Sequence, residues 1–258
     1  PEPRYGELAY HAEKADLKEK ALQYLTLAGD LSIRAFQNHQ AIDYFTRALP
    51  LIAESDSHTK FDVLLKRVEC NFQAGNPAAQ DDDLELLEKI AKELDDRLLF
   101  ALVYNRYAYL AARKGEYKQA VDFAFKAKEL AEQIGDDSVL VAINFIIPNS
   151  LAHLGKLNEA MKYAQGGLDF ARRKNDHLAE ARSLTTLGLV ALEVDGPTAA
   201  YEYQKQALEI ARNEKDRILE ATVLENIANA VGLSQGDYHA AHDYFEQAML
   251  IYTEYGNL

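Results

Sequence analysis

His239-Ala-Ala-His242-Asp243 sets two imidazoles and a carboxylate within about one helical turn, a spacing that can present metal ligands on one face. Two imidazoles and one carboxylate fall short of a full ligand set, and the exposed flank of a helix accounts for them equally well. Asp81-Asp82-Asp83 would attract a hard cation, but the glycine and distal glutamate of a calcium loop are missing. The triplet therefore reads as an acidic helix N-terminus. Cys70 is the single cysteine and lies in RVECNFQAG, on the apolar side of an expected helix, as a buried structural thiol instead of a nucleophile. No P-loop, nucleophile elbow or zinc-protease helix is spelled anywhere. The residue types thus give no support for enzyme activity, and neither a cofactor nor a metal is expected.

The bulk properties narrow the function further. The chain has 258 residues, 48% of them hydrophobic, enough for a substantial core. Its formal net charge of −13, with no large Lys/Arg cluster, argues against nucleic acid and against an anionic membrane surface. No apolar run reaches membrane-span length, and no signal-peptide pattern is present. One cysteine rules out an internal disulfide and fits a reducing cytoplasm. The chain opens on Pro1 and stops inside a helical pattern, which reads as an excised piece of a longer protein.

What remains is a repeat. GEYKQAVDFAFKA from Gly115 returns as GDYHAAHDYFEQA from Gly236, with GKLNEAMKYAQGG and DGPTAAYEYQKQA between them, at steps of about forty residues. A small slot recurs as Ala120, Ala160, Ala200 and Ala241, and three residues on stands Phe123, Tyr163, Tyr203 or Tyr244. The next slot varies (Ala124, Ala164, Gln204, Phe245), and a second small slot follows at Ala127, Gly167, Ala207 and Ala248. Ala41, Tyr44, Phe45 and Ala48 fit the same frame, and a weaker copy starts at Gly75. Residues so spaced lie on one helix face, where small side chains admit a neighbouring helix and the aromatic fills the space between. Gly115 and Gly236 suit left-handed turns, while Asp95/Asp96, Asp136/Asp137, Asp176 and Asp216 suit helix N-caps. Pro148, inside LVAINFIIPNSLAHLG, takes the close-contact slot held by Ala108, Gly188 and Ala228 and is expected to be a tolerated kink; Pro50 bends or shortens its helix.

G-x-Y-x-x-A-x-x-x-F-x-x-A resembles the tetratricopeptide repeat; it is matched in full at Gly236–Ala248 and, apart from Ala124, at Gly115–Ala127. The long period resembles the C-terminal sensor arrays of bacterial MalT-like signal-transduction ATPases and of some class III cyclases. The resemblance implies an all-α, right-handed superhelical solenoid of antiparallel helix pairs. Residues 1–19 would form an N-terminal helix and connection, followed by about six repeats: 20–55, 56–95, 96–135, 136–175, 176–215 and 216–258.

By the same resemblance, the first helix of each repeat lines a concave groove. Carried over by offset, the groove residues are Asn105, Arg106 and Tyr109; Phe145, Ile146 and Asn149; Thr185 and Thr186 with Arg182 one turn earlier; and Asn226 with Asn229. Lys66 and Glu69 hold those offsets in the weak copy. Asparagine can hold both the N–H and the C=O of an extended peptide, and Arg106 and Arg182 could pair with a carboxylate. The expectation is a non-catalytic scaffold for a peptide or protein partner, within a larger bacterial cytoplasmic regulator. The rival readings are a small-molecule sensor governing an attached ATPase, and self-association through the solenoid ends.

Overall fold

Why these residues form helices is visible at their ends. The computed structural model describes residues 4–235 and 237–254. Asp136 Oδ1 accepts the Val139 N–H at 2.9 Å, Asp176 the Ala179 N–H at 2.9 Å and Asp216 the Leu219 N–H at 3.0 Å. Asp96 does the same for Leu98 and Leu99. Each carboxylate satisfies an N–H that has no partner inside its helix. The chain then leaves the first helices through left-handed residues such as Gly115 (φ 79°) and Gly155 (φ 73°). Asp95, Asn175 and Lys215 do the same work after the second helices despite their side chains. The turn glycine Gly236 lies outside the described residues.

Asp136 shows how these caps respond to acid. Hydrogen bonds from the Ser138 hydroxyl and then the Val139 N–H hold its carboxyl below the usual carboxylate range. A depressed native pKa means that the stabilisation is complete above the unfolded value, about 4, and disappears as pH falls through the native one. Asp136→Ala is therefore expected to cost about 1 kcal/mol at neutral pH. The gap between the wild-type and variant melting temperatures should close below about pH 4. A gap that persists unchanged in acid would deny the cap its charge.

The described residues form thirteen α-helices and one short 3-10 turn. The chain divides into two compact units, Pro1–Leu99 and Phe100–Leu258. The first unit holds α1 (Tyr5–Lys14), α2 (Lys18–Arg34), α3 (Asn38–Ala48), α4 (Ser57–Gln73) and α5 (Pro77–Leu94). Pro50 sits in the 3-10 turn Leu49–Leu51 that ends α3 early, as its missing N–H requires. Phe45, fully buried, centres a core with Leu25, Ala41, Ala48 and Cys70. Burial pushes the Cys70 thiol up to about 11, so it is protonated and unreactive at neutral pH.

The aspartate triplet differs from its reading as an acidic helix N-terminus. Helix α5 begins at Pro77, and Asp83, only 4% exposed, faces α4. There Arg67 grips it with both arms, Nε to Oδ2 at 2.8 Å and Nη2 to Oδ1 at 2.5 Å. Asp81 and Asp82 stay exposed.

The second unit contains α6 (Arg97–Arg113, from Phe100), α7 (Tyr117–Ile134), α8 (Asp137–His153), α9 (Leu157–Lys174), α10 (His177–Val194), α11 (Pro197–Asn213), α12 (Arg217–Gln235) and α13 (Tyr238–Glu254). From α7 onward successive helices pack in order, and α10 also touches α8 and α12, so the first helices of the pairs adjoin one another. Stripes of small residues permit the close approach: Ala120, Ala124, Ala127 and Ala131 on α7 are all fully buried. Helix α8 runs unbroken through Pro148, which is buried. Among the described residues no helix is long and apolar enough to cross a membrane.

The variable slot of the repeat is sealed in every copy but the last, where Phe245 is 39% exposed. Phe45, Ala124, Ala164 and Gln204 are at most 1% exposed, whereas the constant aromatics Phe123, Tyr163 and Tyr203 are half-buried. In two copies a large slot residue faces a glycine sixteen positions earlier: a Cβ on Gly29 would lie 2.5 Å from the Phe45 ring, and one on Gly188 2.4 Å from Gln204 Nε2. Gln204 also donates to the Thr185 carbonyl at 3.0 Å. Where the slot is only alanine, as at Ala124 and Ala164, the matching first-helix residue is the bulkier Ala108 or Pro148.

Candidate peptide-binding face of the second unit

The candidate face is built from one stripe per first helix. On α6, Asn105, Arg106 and Tyr109 are half-buried, with the Arg106 guanidinium 6.0 Å from the Tyr109 ring centre. Asn105 Oδ1 is sealed from solvent without a protein hydrogen-bond partner. On α8, Phe145 is 43% exposed and Asn149 half-buried, the Asn149 amide donating to the Phe145 carbonyl at 2.8 Å. That bond leaves the Asn149 Oδ1 as an acceptor. On α12, Asn229 is exposed, and Asn226 is half-buried with its Nδ2 sealed and unpartnered by protein.

Helix α10 departs from the expectation. Thr186 is fully buried and Thr185 nearly so, their hydroxyls donating to the carbonyls of Arg182 and Ala181. Packed by α8, α11 and α12 together, this stretch of α10 offers no surface at those offsets, and the Thr186 hydroxyl is already bonded within its own helix. Arg182 one turn earlier is exposed and lies 3.8 Å from Asp216. In the first unit, Lys66 is engaged by Asp30 at 2.7 Å, and Glu69 accepts from Gln73 at 3.2 Å.

Four of the expected residues converge. Tyr109, Phe145, Ile146 and Asn149 line one cleft of about 360 Å³ where α6 meets α8. Sequence reasoning missed the rest of its lining. Arg113 and His153 stand one turn further along the same two stripes, so extending the offset by four residues would have found them. Tyr117, the first residue of α7, joins from another helix, its ring stacked on His153 with centroids 4.2 Å apart. Ser150 carried no signal at all in the sequence. The cleft is mainly apolar, contains Arg113 and no carboxylate, and so favours a neutral or anionic occupant over a cation.

His242, Asp243 and Glu246 on α13 bring ligand atoms within 4.8 Å of one another, but all three side chains are exposed and His239 is not among them. They form a helix flank, and no metal is assigned there.

Residues 195–254 match the family model of the tetratricopeptide repeat. The match covers the C-terminal segment that holds α11, α12 and α13. No curated protein sequence matches it. Among solved structures, the apo form of RapI is similar over 98% of each chain at 15% identity, with a TM-score of 0.77. The Rap conjugation gene regulator of plasmid pLS20, in complex with the Phr* peptide, is similar over 95% of this chain and 77% of its own, at 14% identity and a TM-score of 0.70. A Signal Transduction ATPase with Numerous Domains from Pyrococcus horikoshii, with a tetratricopeptide repeat sensor, matches 98% of this chain but 41% of its own, at 16% identity and a TM-score of 0.67. At these identities the likeness establishes the fold, a tetratricopeptide-type stacking of helix pairs.

Proposed function

We propose that the first-helix face of the second unit binds an extended peptide segment of a partner and that the chain serves as the non-catalytic recognition part of a regulator. The observation that carries this reading is the cleft between α6 and α8, whose walls include four residues at the repeat's ligand-facing offsets. A structurally similar regulator, that of plasmid pLS20, was solved in complex with a peptide, which supports a peptide as the ligand class. A small-molecule sensor would favour an enclosed pocket with convergent polar groups. Here Phe145, Arg113 and His153 are exposed at the rim, so a chain can pass across the cleft and leave it on both sides.

The test is selection of displayed linear peptides on the purified chain, followed by affinity measurement. Phe145→Arg places a charge on an exposed wall and should weaken selected peptides at least about tenfold without altering the melting temperature. Asn226→Ala combined with Asn229→Ala should weaken those peptides long enough to reach α12. If no peptide is enriched, or if enriched peptides ignore Phe145→Arg, this face is not the receptor.

A further inference from the structure

Five helical threonine hydroxyls are satisfied by their own backbone. Thr26, Thr222 and Thr253 donate to the carbonyls of Leu22, Ile218 and Met249, as Thr185 and Thr186 do in α10. The Ser150 hydroxyl has no such bond. Ser150 is 1% exposed, lines the cleft between α6 and α8, and its Oγ has no hydrogen-bond partner in the protein. A buried hydroxyl left unmatched destabilises by about 1–3 kcal/mol, so a group that enters the cleft and parts the side chains covering Ser150 recovers an interaction the free protein lacks.

The remaining walls define what that group is attached to. Tyr109, Ile146 and Phe145 form an apolar slot for a flat ring, and the stacked Tyr117 and His153 rings extend it. The volume of about 360 Å³ lies at the small end of the ~300–1,000 Å³ range of small-molecule sites. It is suited to one large side chain. The absence of a carboxylate in the lining disfavours lysine and arginine. A ring with a single polar tip satisfies both features.

We propose that this cleft is the anchor for one tyrosyl side chain of the bound peptide, with the Ser150 hydroxyl paired to the phenol. This rests on the peptide-binding reading above and adds the residue the peptide must carry.

The whole chain, isotope-labelled, would be titrated with N-acetyl-tyrosinamide and N-acetyl-phenylalaninamide while backbone amide shifts are followed. Both fragments should shift amides around Tyr109, Phe145 and Ser150, with dissociation constants on the order of 1 mM for ligands this small. The tyrosyl fragment should bind about three- to tenfold more tightly, the usual worth of one hydrogen bond. Ser150→Ala should bring the two fragments to equal affinity without lowering the melting temperature, because it deletes an unmatched hydroxyl. Phe145→Ala should weaken both. Equal affinities in the wild type, a tyrosyl preference that survives Ser150→Ala, or no saturable shift at the cleft would each overturn the proposal. Should displayed peptides still depend on Phe145 in that event, the peptide-binding face stands and only the tyrosyl anchor falls.

Discussion

Phe45→Ala should destabilise the first unit by about 3–5 kcal/mol, read as a shift of its urea midpoint. Phe45 is fully buried among Leu25, Ala41 and Ala48, so truncation removes apolar contact and leaves a cavity that two packed helices cannot close completely. The more telling result is its coupling to Gly29. A methyl at position 29 would stand 2.5 Å and 2.6 Å from two Phe45 ring carbons. Gly29→Ala alone must therefore push α2 and α3 apart or force the ring off its rotamer, at about 1–3 kcal/mol, offset in part by about 1 kcal/mol of better helix propensity. With Phe45→Ala already in place the methyl has room. The double variant then carries Ala opposite Ala, the combination that Ala108 and Ala124 hold at the same offsets in the second unit, both fully buried. The pair should be less damaged than the sum of the singles by about 1 kcal/mol or more. Strict additivity would mean that the slot and the glycine are not size-matched partners.

Asp83→Ala should cost about as much, 3–5 kcal/mol, for a different reason. The Arg67 side chain is 19% exposed and that of Asp83 6%, and Arg67 Nη1 also donates to Thr46 Oγ1 at 3.1 Å. Removing the carboxylate leaves a guanidinium in a site from which water is largely excluded, facing a partner that has gone. Asp83→Leu with Arg67→Met removes both charges and should restore most of the stability, since a buried ion pair stabilises little relative to an apolar pair of similar volume. Thermal melts of the wild type, the single and the double variant distinguish these cases. A single variant within about 0.5 kcal/mol of wild type would show that the pair is solvated like a surface one.

Both predictions concern features that the sequence displayed without revealing their meaning. The forty-residue frame, the aspartate caps at Asp136, Asp176 and Asp216, the left-handed Gly115 and the short α3 before Pro50 were all legible, because each depends on residues within a turn or two. The Asp81–Asp83 triplet was not, because Asp83 acquires its role from Arg67, sixteen residues away on another helix. The aromatic at Phe123, Tyr163 and Tyr203 looked like the packing residue because it recurs. The residue after it proved to be the buried one at Ala124, Ala164 and Gln204, though not at Phe245, and at Phe45 and Gln204 its size is balanced against a first-helix glycine.

The candidate site divides along the same line. Spacing within a helix decides which side chains share a stripe, so Tyr109, Phe145, Ile146 and Asn149 could be named from their offsets. Spacing within a helix is silent about how deeply the next helix covers that stripe. Thr186 occupies the same offset as Ile146 and disappears under its neighbours, while Tyr117, from a second helix, joins the cleft by stacking on His153. Periodicity along one chain segment therefore specifies the faces of the helices, whereas the fit between helices settles which faces meet solvent, because burial and hydrogen-bond partnership are properties of pairs brought together from distant segments.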